Sequence, residues 1–205
     1  RQMCIRDREM SRSSTMVVMG SRGLGGLSGM VLGSVSGAVV SHASCPVVVV
    51  REDNNVTDAN KYGPVVVGVD GSEVSRRAVE YAFEEANARK AELVAVHTWI
   101  DTQVQAPGAG FAVDDDHWSA VQKEKAEKLE EYLGTLREQF PNVEVRTLIT
   151  RDRPVRALTE ASEGAQLLVT GSHGRGGFKG MLLGSTSRAL LQSAPCPMMV
   201  VRPEE

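Results

Sequence analysis

The feature that most constrains this chain is an internal duplication. Residues 16–51 align with residues 167–202 at a constant offset of 151 without a gap, and 19 of the 36 positions are identical. Each copy has a short apolar run, a glycine-rich loop, a helical stretch and a Cys-Pro pair before a second apolar run. Short apolar runs between helical patterns are typical of buried strands in a parallel sheet. The duplication therefore predicts an α/β fold with two related units.

The longer unit, residues 64–205, has the pattern of a complete domain. Apolar runs predict five strands, at residues 64–70, 93–97, 143–149, 167–170 and 198–202. Helical patterns between them predict helices after Ser72, at residues 117–140, from Pro154 and after Gly184. Strands that alternate with helices indicate a parallel sheet.

The shorter unit, residues 16–51, holds only the last two strands and the last helix of that pattern. A piece of this size is too small to bury a core alone. We expect it to lie against the complete domain, to pair with another chain or to stay partly unfolded. Residues 52–63 are polar and turn-rich, which predicts a linker. Residues 1–15 predict a disordered tail, in which Met3–Asp7 reads either as a translated sequencing adapter or as a natural charged segment.

Composition argues against several classes of partner. Of the 205 residues, 24% are charged, 41% are hydrophobic and 4% are aromatic, and the net charge is −3. This balance does not favour nucleic acid or an anionic membrane, and no apolar run is long enough to predict a spanning helix. Cys4, Cys45 and Cys196 lack the spacing of a zinc site, which favours structural thiols in a reducing cytoplasm.

The glycine-rich loops carry the clearest functional signal. Each copy has the spacing Gly-x2-Gly-x9-Gly-Ser, in a loop that follows a strand and ends at a helix. Glycine lets backbone N–H groups approach a phosphate, and a helix N-terminus adds further N–H groups and a favourable dipole. Arg175 and Lys179 give the second loop more positive charge than Arg22 gives the first. The second loop is therefore predicted to bind a polyphosphate, and the alternative interpretation is that these glycines only form a tight turn. The motif residues are Gly20, Gly23, Gly33 and Ser34 in the first copy and Gly171, Gly174, Gly184 and Ser185 in the second.

Five short motifs in residues 64–202 resemble the ATP-binding branch of the universal stress protein family. They are GVDGS at 68–72, AVHTW at 95–99, GSHG at 171–174, GS at 184–185 and CPMMVV at 196–201. Residues 16–51 resemble the end of a preceding domain in the tandem proteins of that family. The resemblance implies an open parallel five-stranded sheet in the order 3-2-1-4-5, sandwiched by helices and of the adenine-nucleotide alpha hydrolase-like type. It also implies pairing through the last strand, in a homodimer or between domains of one chain.

The same resemblance implies a nucleotide site. Gly68, Val69 and Asp70 would wall the adenosine, with Asp70 bonding the ribose or helping to hold a metal, and the alternative role of Asp70 is to cap the following turn. The Thr98 backbone would meet the adenine, whereas His97 is interpreted as a packed strand residue. The glycine loop would surround the phosphates, with Ser185 contacting one of them or capping the last helix. The complete predicted set is Gly68, Val69, Asp70, Gly71, Ser72, Thr98, Gly171, Ser172, His173, Gly174, Arg175, Gly184, Ser185 and Thr186.

The predicted function is that of an ATP-binding regulatory module in the stress response, with ATP bound together with Mg²⁺. No residue set for fast catalysis is predicted. Slow ATP hydrolysis or autophosphorylation at or near Ser185, or a nucleotide-free structural role, remain as alternatives. An adenylating enzyme is not favoured because GVDGSEVS supplies neither of the loops that such enzymes use. The first copy has no counterpart of GVDGS, so it is not expected to bind nucleotide well.

Overall fold

The computed structural model describes residues 9–21, 32–51, 54, 61–99, 115–176 and 182–203. Strands and helices alternate through these residues, as the apolar and helical patterns predict. In chain order the elements are β1 (Val17–Gly20), α1 (Ser34–His42), β2 (Val47–Val50), β3 (Val65–Gly68), α2 (Glu73–Arg89), β4 (Leu93–Thr98), α3 (Asp115–Gln139), β5 (Val145–Thr150), α4 (Pro154–Ala161), β6 (Leu167–Gly171), α5 (Ser185–Ser193) and β7 (Met198–Val201).

The strands form one seven-stranded sheet in the order β1-β2-β7-β6-β3-β4-β5. All neighbouring pairs are parallel except β2 and β7, which are antiparallel. The predicted five-stranded, all-parallel sheet is therefore wrong for this chain. The physical reason is that an apolar strand with an unpaired edge gains hydrogen bonds and burial when a second apolar strand pairs with it, and β2 pairs with β7 in this way. Strands β3 to β7 lie in the order β5-β4-β3-β6-β7 within the larger sheet.

The β2–β7 ladder is centred on equivalent residues of the two copies. Val48 lies opposite Met199, and these residues are 151 positions apart, which is the offset of the duplication. Val47 and Val49 pair with Val200 and Met198 in the same reciprocal manner. Such a register is that of a local two-fold axis between two related units. The shorter unit thus lies against the longer one through the last strand of each.

Helices cover the sheet on two faces. On one face α1, α4 and α5 pack into a core that includes Val40, Leu158 and Leu190. On the other face α2 and α3 pack into a second core, in which Phe83 and Phe140 stack with ring centroids 5.7 Å apart. Among the described residues, no helix combines the length and the apolar character that a membrane crossing requires.

The folded part of the chain includes residues before position 16. Residues 9–11 form a helical turn, and the Ser11 side chain is 1% exposed and accepts a hydrogen bond from the Ser44 N–H at 3.0 Å. Its equivalent 151 positions later, Ser162, is also buried and donates to the Leu158 carbonyl oxygen at 2.6 Å. The duplication in structure therefore begins earlier than the aligned residues 16–51. Met3–Asp7 lies outside the described residues.

The two described cysteines occupy equivalent buried positions. Cys45 and Cys196 are both free thiols, and each precedes the proline that leads into a paired strand. Burial raises the pKa of Cys196 to about 12 and raises that of Cys45 as well. Both thiols therefore stay protonated near neutral pH, as structural thiols do. Cys4 lies outside the described residues.

Candidate functional site

A cleft opens where the carboxyl ends of β3, β4 and β6 meet. From β3 the chain proceeds to β4 and β5 on one side of the sheet, whereas β6 and β7 lie on the other side. Open α/β sheets bind their ligands at the point where the strand order reverses in this way. The cleft has a volume of about 180 Å³ and shares Asp70, Thr98 and Gly174 with a wider opening of about 490 Å³. The two spaces together are large enough for a small molecule.

The turn after β3 is organised by the Asp70 carboxylate. Its Oδ1 accepts hydrogen bonds from the Ser72 N–H at 2.9 Å and from the Ser72 hydroxyl at 2.7 Å. Ser72 also caps α2, because its Oγ accepts from the Ser75 N–H at 3.2 Å. Gly71 between them has a φ of +79°, a conformation that favours glycine. The capping role considered for Asp70 is therefore present.

The second oxygen of Asp70 connects this turn to the glycine loop after β6. Asp70 Oδ2 accepts a hydrogen bond from the Arg175 N–H at 3.0 Å. A Cβ placed on Gly174 would overlap this same oxygen, so any other residue there would force the Asp70 carboxylate out of its present position.

The base of the glycine loop is closed by backbone hydrogen bonds. The Ser172 N–H donates to the Val201 carbonyl oxygen at 2.7 Å, and the Gly184 N–H donates to the Ser172 carbonyl oxygen at 2.7 Å. The Ser187 hydroxyl donates to the Gly171 carbonyl oxygen at 2.7 Å. These bonds hold the start of α5 beside the end of β6.

The N-terminus of α5 opens into this cleft. Gly184 is the N-cap and no side chain caps the helix, so the expectation that Ser185 caps it is wrong. Ser185 is instead the first helical residue, and it lines the wider opening. The first N–H groups of a helix have no acceptor within it, so this end of α5 offers donors and a positive dipole end.

Two histidines lie at the cleft. His97 Nδ1 lies 2.7 Å from the Val69 carbonyl oxygen and must donate to it, which ties β4 to the chain beyond β3 and leaves Nε2 as an acceptor in the neutral ring. His97 also lines the wider opening. The sequence predicted only a packed strand residue at this position. His173 lines the cleft, and its Nδ1 is 3.0 Å from the Ser172 hydroxyl.

The inner end of the cleft is apolar, and the sequence did not single it out. It is lined by Val96 from β4 and by Pro154 and Leu158 from α4. Gly68 forms its floor, and a Cβ there would lie 3.2 Å from Leu158 Cδ1. Pro154 lies at the first turn of α4 and predicted where this helix begins, but not that its first turn lines the cleft. Thr170 and Ser187 are further lining residues outside the predicted set.

Most of the predicted residues do meet at this cleft. Those that line it or its wider opening are Gly68, Val69, Asp70, Thr98, Gly171, His173, Gly174, Arg175, Gly184, Ser185 and Thr186. Three do not line it. Gly71 lines a neighbouring cleft, the Ser72 side chain is held by Asp70 and α2, and Ser172 is 1% exposed.

The charges at the cleft are mainly positive. Arg175 and Lys125 line the wider opening together with the N-terminus of α5. Asp70 is the one acidic side chain among the described residues that line the cleft. The described part of the chain contains no group of three or more metal-ligating side chains, so a cation at this site would need oxygens from a ligand in addition to Asp70. Lys179, the other predicted cation, lies outside the described residues.

The first copy reproduces the base of the loop but has different surroundings. The Ser21 N–H donates to the Val50 carbonyl oxygen at 2.8 Å, and the Gly33 N–H donates to the Ser21 carbonyl oxygen at 2.8 Å. The Ser36 hydroxyl donates to the Gly20 carbonyl oxygen at 2.9 Å. Each bond has its equivalent 151 positions later. However, β1 is the edge strand, whereas its equivalent β6 pairs with β3. No counterpart of the Asp70 turn flanks β1 in the part of the chain that the structure describes.

Known proteins share this sequence and fold. The chain matches the universal stress protein family over residues 5–51 and 61–202. A universal stress protein of Mycobacterium tuberculosis is 47% identical over 195 residues, which cover 95% of this chain and 64% of that protein. One from Mycolicibacterium smegmatis is 43% identical over 195 residues, again covering 95% and 64%. The chain thus spans less than two thirds of the length of these relatives.

Solved structures agree with these matches. A universal stress protein from Archaeoglobus fulgidus superposes with a TM-score of 0.69 at 26% identity, covering 97% of this chain and 66% of that one. UspA from Lactobacillus plantarum superposes with a TM-score of 0.57 at 21% identity, covering 69% and 98%, and shows the same fold. On the family match and the mycobacterial relatives together, the chain belongs to the universal stress protein family.

Proposed function

We propose that this chain binds ATP in the cleft between β3, β4 and β6 and acts as a nucleotide-dependent regulatory module of the stress response. The observation that carries the proposal is the bond from the Arg175 N–H to Asp70, which joins the turn after β3 to the glycine loop after β6. This bond places a carboxylate, a glycine without room for a side chain and the N-terminus of α5 around one space. The arrangement supports a ligand with a sugar near Asp70 and phosphates at the glycine loop.

The two ends of the cleft differ in chemistry in the way a nucleotide requires. Val96, Pro154 and Leu158 form an apolar inner end that suits a planar base. Arg175, Lys125 and the free N–H groups of α5 form a positive outer end that suits phosphates. In this pose the backbone at Thr98 meets the base. Ser185 and Thr186 place hydroxyls at the phosphate end.

A magnesium ion fits this pose as part of the ligand. Mg²⁺ is usually held by one or two carboxylates together with substrate phosphates. Asp70 is the carboxylate that the described cleft provides, and Oδ2 accepts one hydrogen bond there, which leaves capacity for a further contact. We therefore propose ATP with Mg²⁺ as the bound species.

The geometry supports regulation better than fast catalysis. The Ser172 hydroxyl and His173 are within hydrogen-bond distance, but Ser172 is buried and does not line the cleft, so it cannot act as a nucleophile on a bound ligand. Slow hydrolysis, or phosphate transfer to Ser185 or Thr186, would use hydroxyls that do line the opening. A ligand that binds two pairing states of the protein unequally would shift their populations.

The β2–β7 ladder is the surface on which we propose that such regulation acts. We propose that residues 16–51 belong to the last part of a first domain in a tandem protein, and that the two domains pair through these strands. Pairing of two copies of the longer unit through β7 in a homodimer would require β2 to leave that edge, because β7 lies between β2 and β6 in this sheet. The two buried thiols support action in a reducing compartment such as the cytoplasm.

The test is titration of the purified chain with ATP in the presence of Mg²⁺, followed by isothermal calorimetry. The wild type is expected to bind, and Gly174→Ala is expected to lose at least about 100-fold in affinity because its Cβ displaces Asp70. Gly134→Ala is the matched control, since a Cβ at Gly134 in α3 meets nothing within 4 Å. Absence of ATP binding by the wild type, with the fold confirmed by circular dichroism, would reject the proposal and favour a nucleotide-free structural role.

A further inference from the structure

A second cleft lies next to the proposed nucleotide site, on the face of the sheet that α2 and α3 cover. It has a volume of about 170 Å³ and opens between the chain after β3 and one side of α3. Its apolar lining residues include Val69 and Leu129, which are 6% and 4% exposed. Lys125 and Lys128 line it from the same side of α3 as Leu129, since residues three or four positions apart share one side of a helix. The cleft therefore combines an apolar wall with cationic side chains.

The Arg175 guanidinium reaches this second cleft because Gly71 leaves room for it. A Cβ placed on Gly71 would overlap the guanidinium, and both residues line the cleft. Arg175 also lines the wider opening of the nucleotide site, so one side chain borders both spaces. The turn after β3 thus separates the second cleft from the nucleotide site and directs a cation into it.

The second cleft is lined by cations and, among the described residues, by no acidic side chain. Its charged lining residues are Lys125, Lys128 and Arg175, and His97 also lines it. Lys128 forms an ion pair with Glu124, which offsets one of the three positive charges. Neither Lys125 nor the Arg175 guanidinium forms an ion pair with a described residue. In a chain whose net charge is −3, two positive charges left without a partner in one cleft favour an anion.

We propose that the second cleft binds a small phosphate monoester, with its phosphate at Lys125, Lys128 and Arg175 and its apolar part against Val69 and Leu129. A phosphate monoester carries nearly two negative charges at pH 7, which matches the two positive charges that Glu124 does not offset. Lys and Arg side chains form strong charge-assisted hydrogen bonds to phosphate oxygens. An apolar cavity of about 150 Å³ holds one benzene ring, so the cleft has room for a body of that size. The site goes beyond the proposed function, because Lys128 and Leu129 line neither the nucleotide cleft nor its wider opening.

The probe is phenyl phosphate, which combines a phosphate with an apolar ring, titrated by calorimetry into the purified chain without nucleotide. The wild type is expected to bind it, and to bind inorganic phosphate at least about 5-fold more weakly because that ion lacks the ring. Lys128→Glu is expected to weaken binding of phenyl phosphate about 5- to 20-fold, because it reverses a charge at this cleft. Lys123→Glu is the matched control: it makes the same charge change on α3, at an exposed position that does not line the cleft, and stays within about 2-fold of the wild type.

Four results would overturn the proposal. Absence of binding by the wild type rejects the site, and equal affinity for phenyl phosphate and inorganic phosphate rejects the apolar part of the ligand. Wild-type affinity in Lys128→Glu would place the anion in the nucleotide cleft, which Lys128 does not line. Equal losses in Lys128→Glu and Lys123→Glu would mean that binding responds only to the overall charge. Because these titrations contain no nucleotide, failure of this proposal leaves the proposed function standing, and failure of ATP to bind leaves this proposal standing.

Discussion

The two copies of the glycine loop share the hydrogen bonds at their base and differ in what surrounds them. In both copies the loop is closed by the same two backbone bonds and by a serine hydroxyl that donates to the glycine at the end of the preceding strand. Only the second copy has a neighbouring strand, β3, that brings Asp70 against the loop. The glycine spacing therefore accompanies the same loop base in both copies, whereas the candidate site also requires the strand beside the loop.

The largest effect is expected where the two copies pair. Val48 is 7% exposed at the centre of the β2–β7 ladder, whereas Val18, its partner on β1, is 64% exposed. Val48→Asp places an unpaired charge in the packed face and is expected to lower the free energy of unfolding by about 3–5 kcal/mol. Val18→Asp is the matched control and is expected to change it by less than about 0.5 kcal/mol. Urea denaturation measures both, and equal effects would mean that the first copy does not pack as described.

The next effect concerns the hydrogen bond from the Arg175 N–H to Asp70, which has no counterpart among the described residues of the first copy. Asp70→Asn retains an oxygen for Ser72 but replaces the oxygen that accepts from Arg175 with an amide group that cannot accept. We expect affinity for ATP to fall about 10-fold, with little change in stability because the residue is partly exposed. Calorimetry with Mg²⁺ and ATP measures the affinity, and an unchanged value would show that this connection does not organise the site.

A smaller effect compares equivalent serines directly. Ser36→Ala and Ser187→Ala each remove one hydroxyl that donates to a strand-end glycine. Each is expected to lower the free energy of unfolding by about 1 kcal/mol. Only Ser187→Ala is expected to weaken ATP binding, because Ser187 lines the cleft. Thermal unfolding and ATP titration of the two variants test this separation, which an effect of Ser36→Ala on affinity would contradict.

The last comparison is a pH dependence from the buried thiol of the second copy. Burial raises the pKa of Cys196 from its ordinary value near 9 to about 12, so the folded state favours the neutral thiol. The stability from this group is complete below about pH 9 and is lost as the pH rises from there toward 12. Cys196→Ser is expected to reduce the fall in stability between pH 9 and pH 10.5, and Cys45→Ser to reduce it less, since Cys45 is less deeply buried. Urea denaturation at the two pH values checks the difference.

The sequence predicted the strands and helices because these elements depend on local patterns of apolar residues. The predicted strand at 93–97 and helix at 117–140 agree with β4 and α3 to within two residues. Asp70 and Gly174 were predicted from short motifs that resemble those of the universal stress protein family, whereas the contact that joins them connects residues 104 positions apart.

The remaining features depend on contacts between distant segments. The antiparallel ladder of Val48 and Met199 depends on which strand edges meet, and an apolar run does not encode its partner. Val96, Leu158 and Thr170 line the cleft because of the face to which each side chain points. In a strand buried on both faces the apolar pattern does not distinguish those faces. Ser11 is likewise buried by contact with a segment 33 residues away.

We propose that the chain binds one ATP, at the second copy of the loop. The stoichiometry of ATP binding tests this directly, by calorimetry in the presence of Mg²⁺ for the wild type, Gly174→Ala and the equivalent variant of the first copy, Gly23→Ala. One site per chain is expected, abolished by Gly174→Ala and unchanged by Gly23→Ala. Two sites per chain, or a single site that Gly23→Ala abolishes, would contradict it.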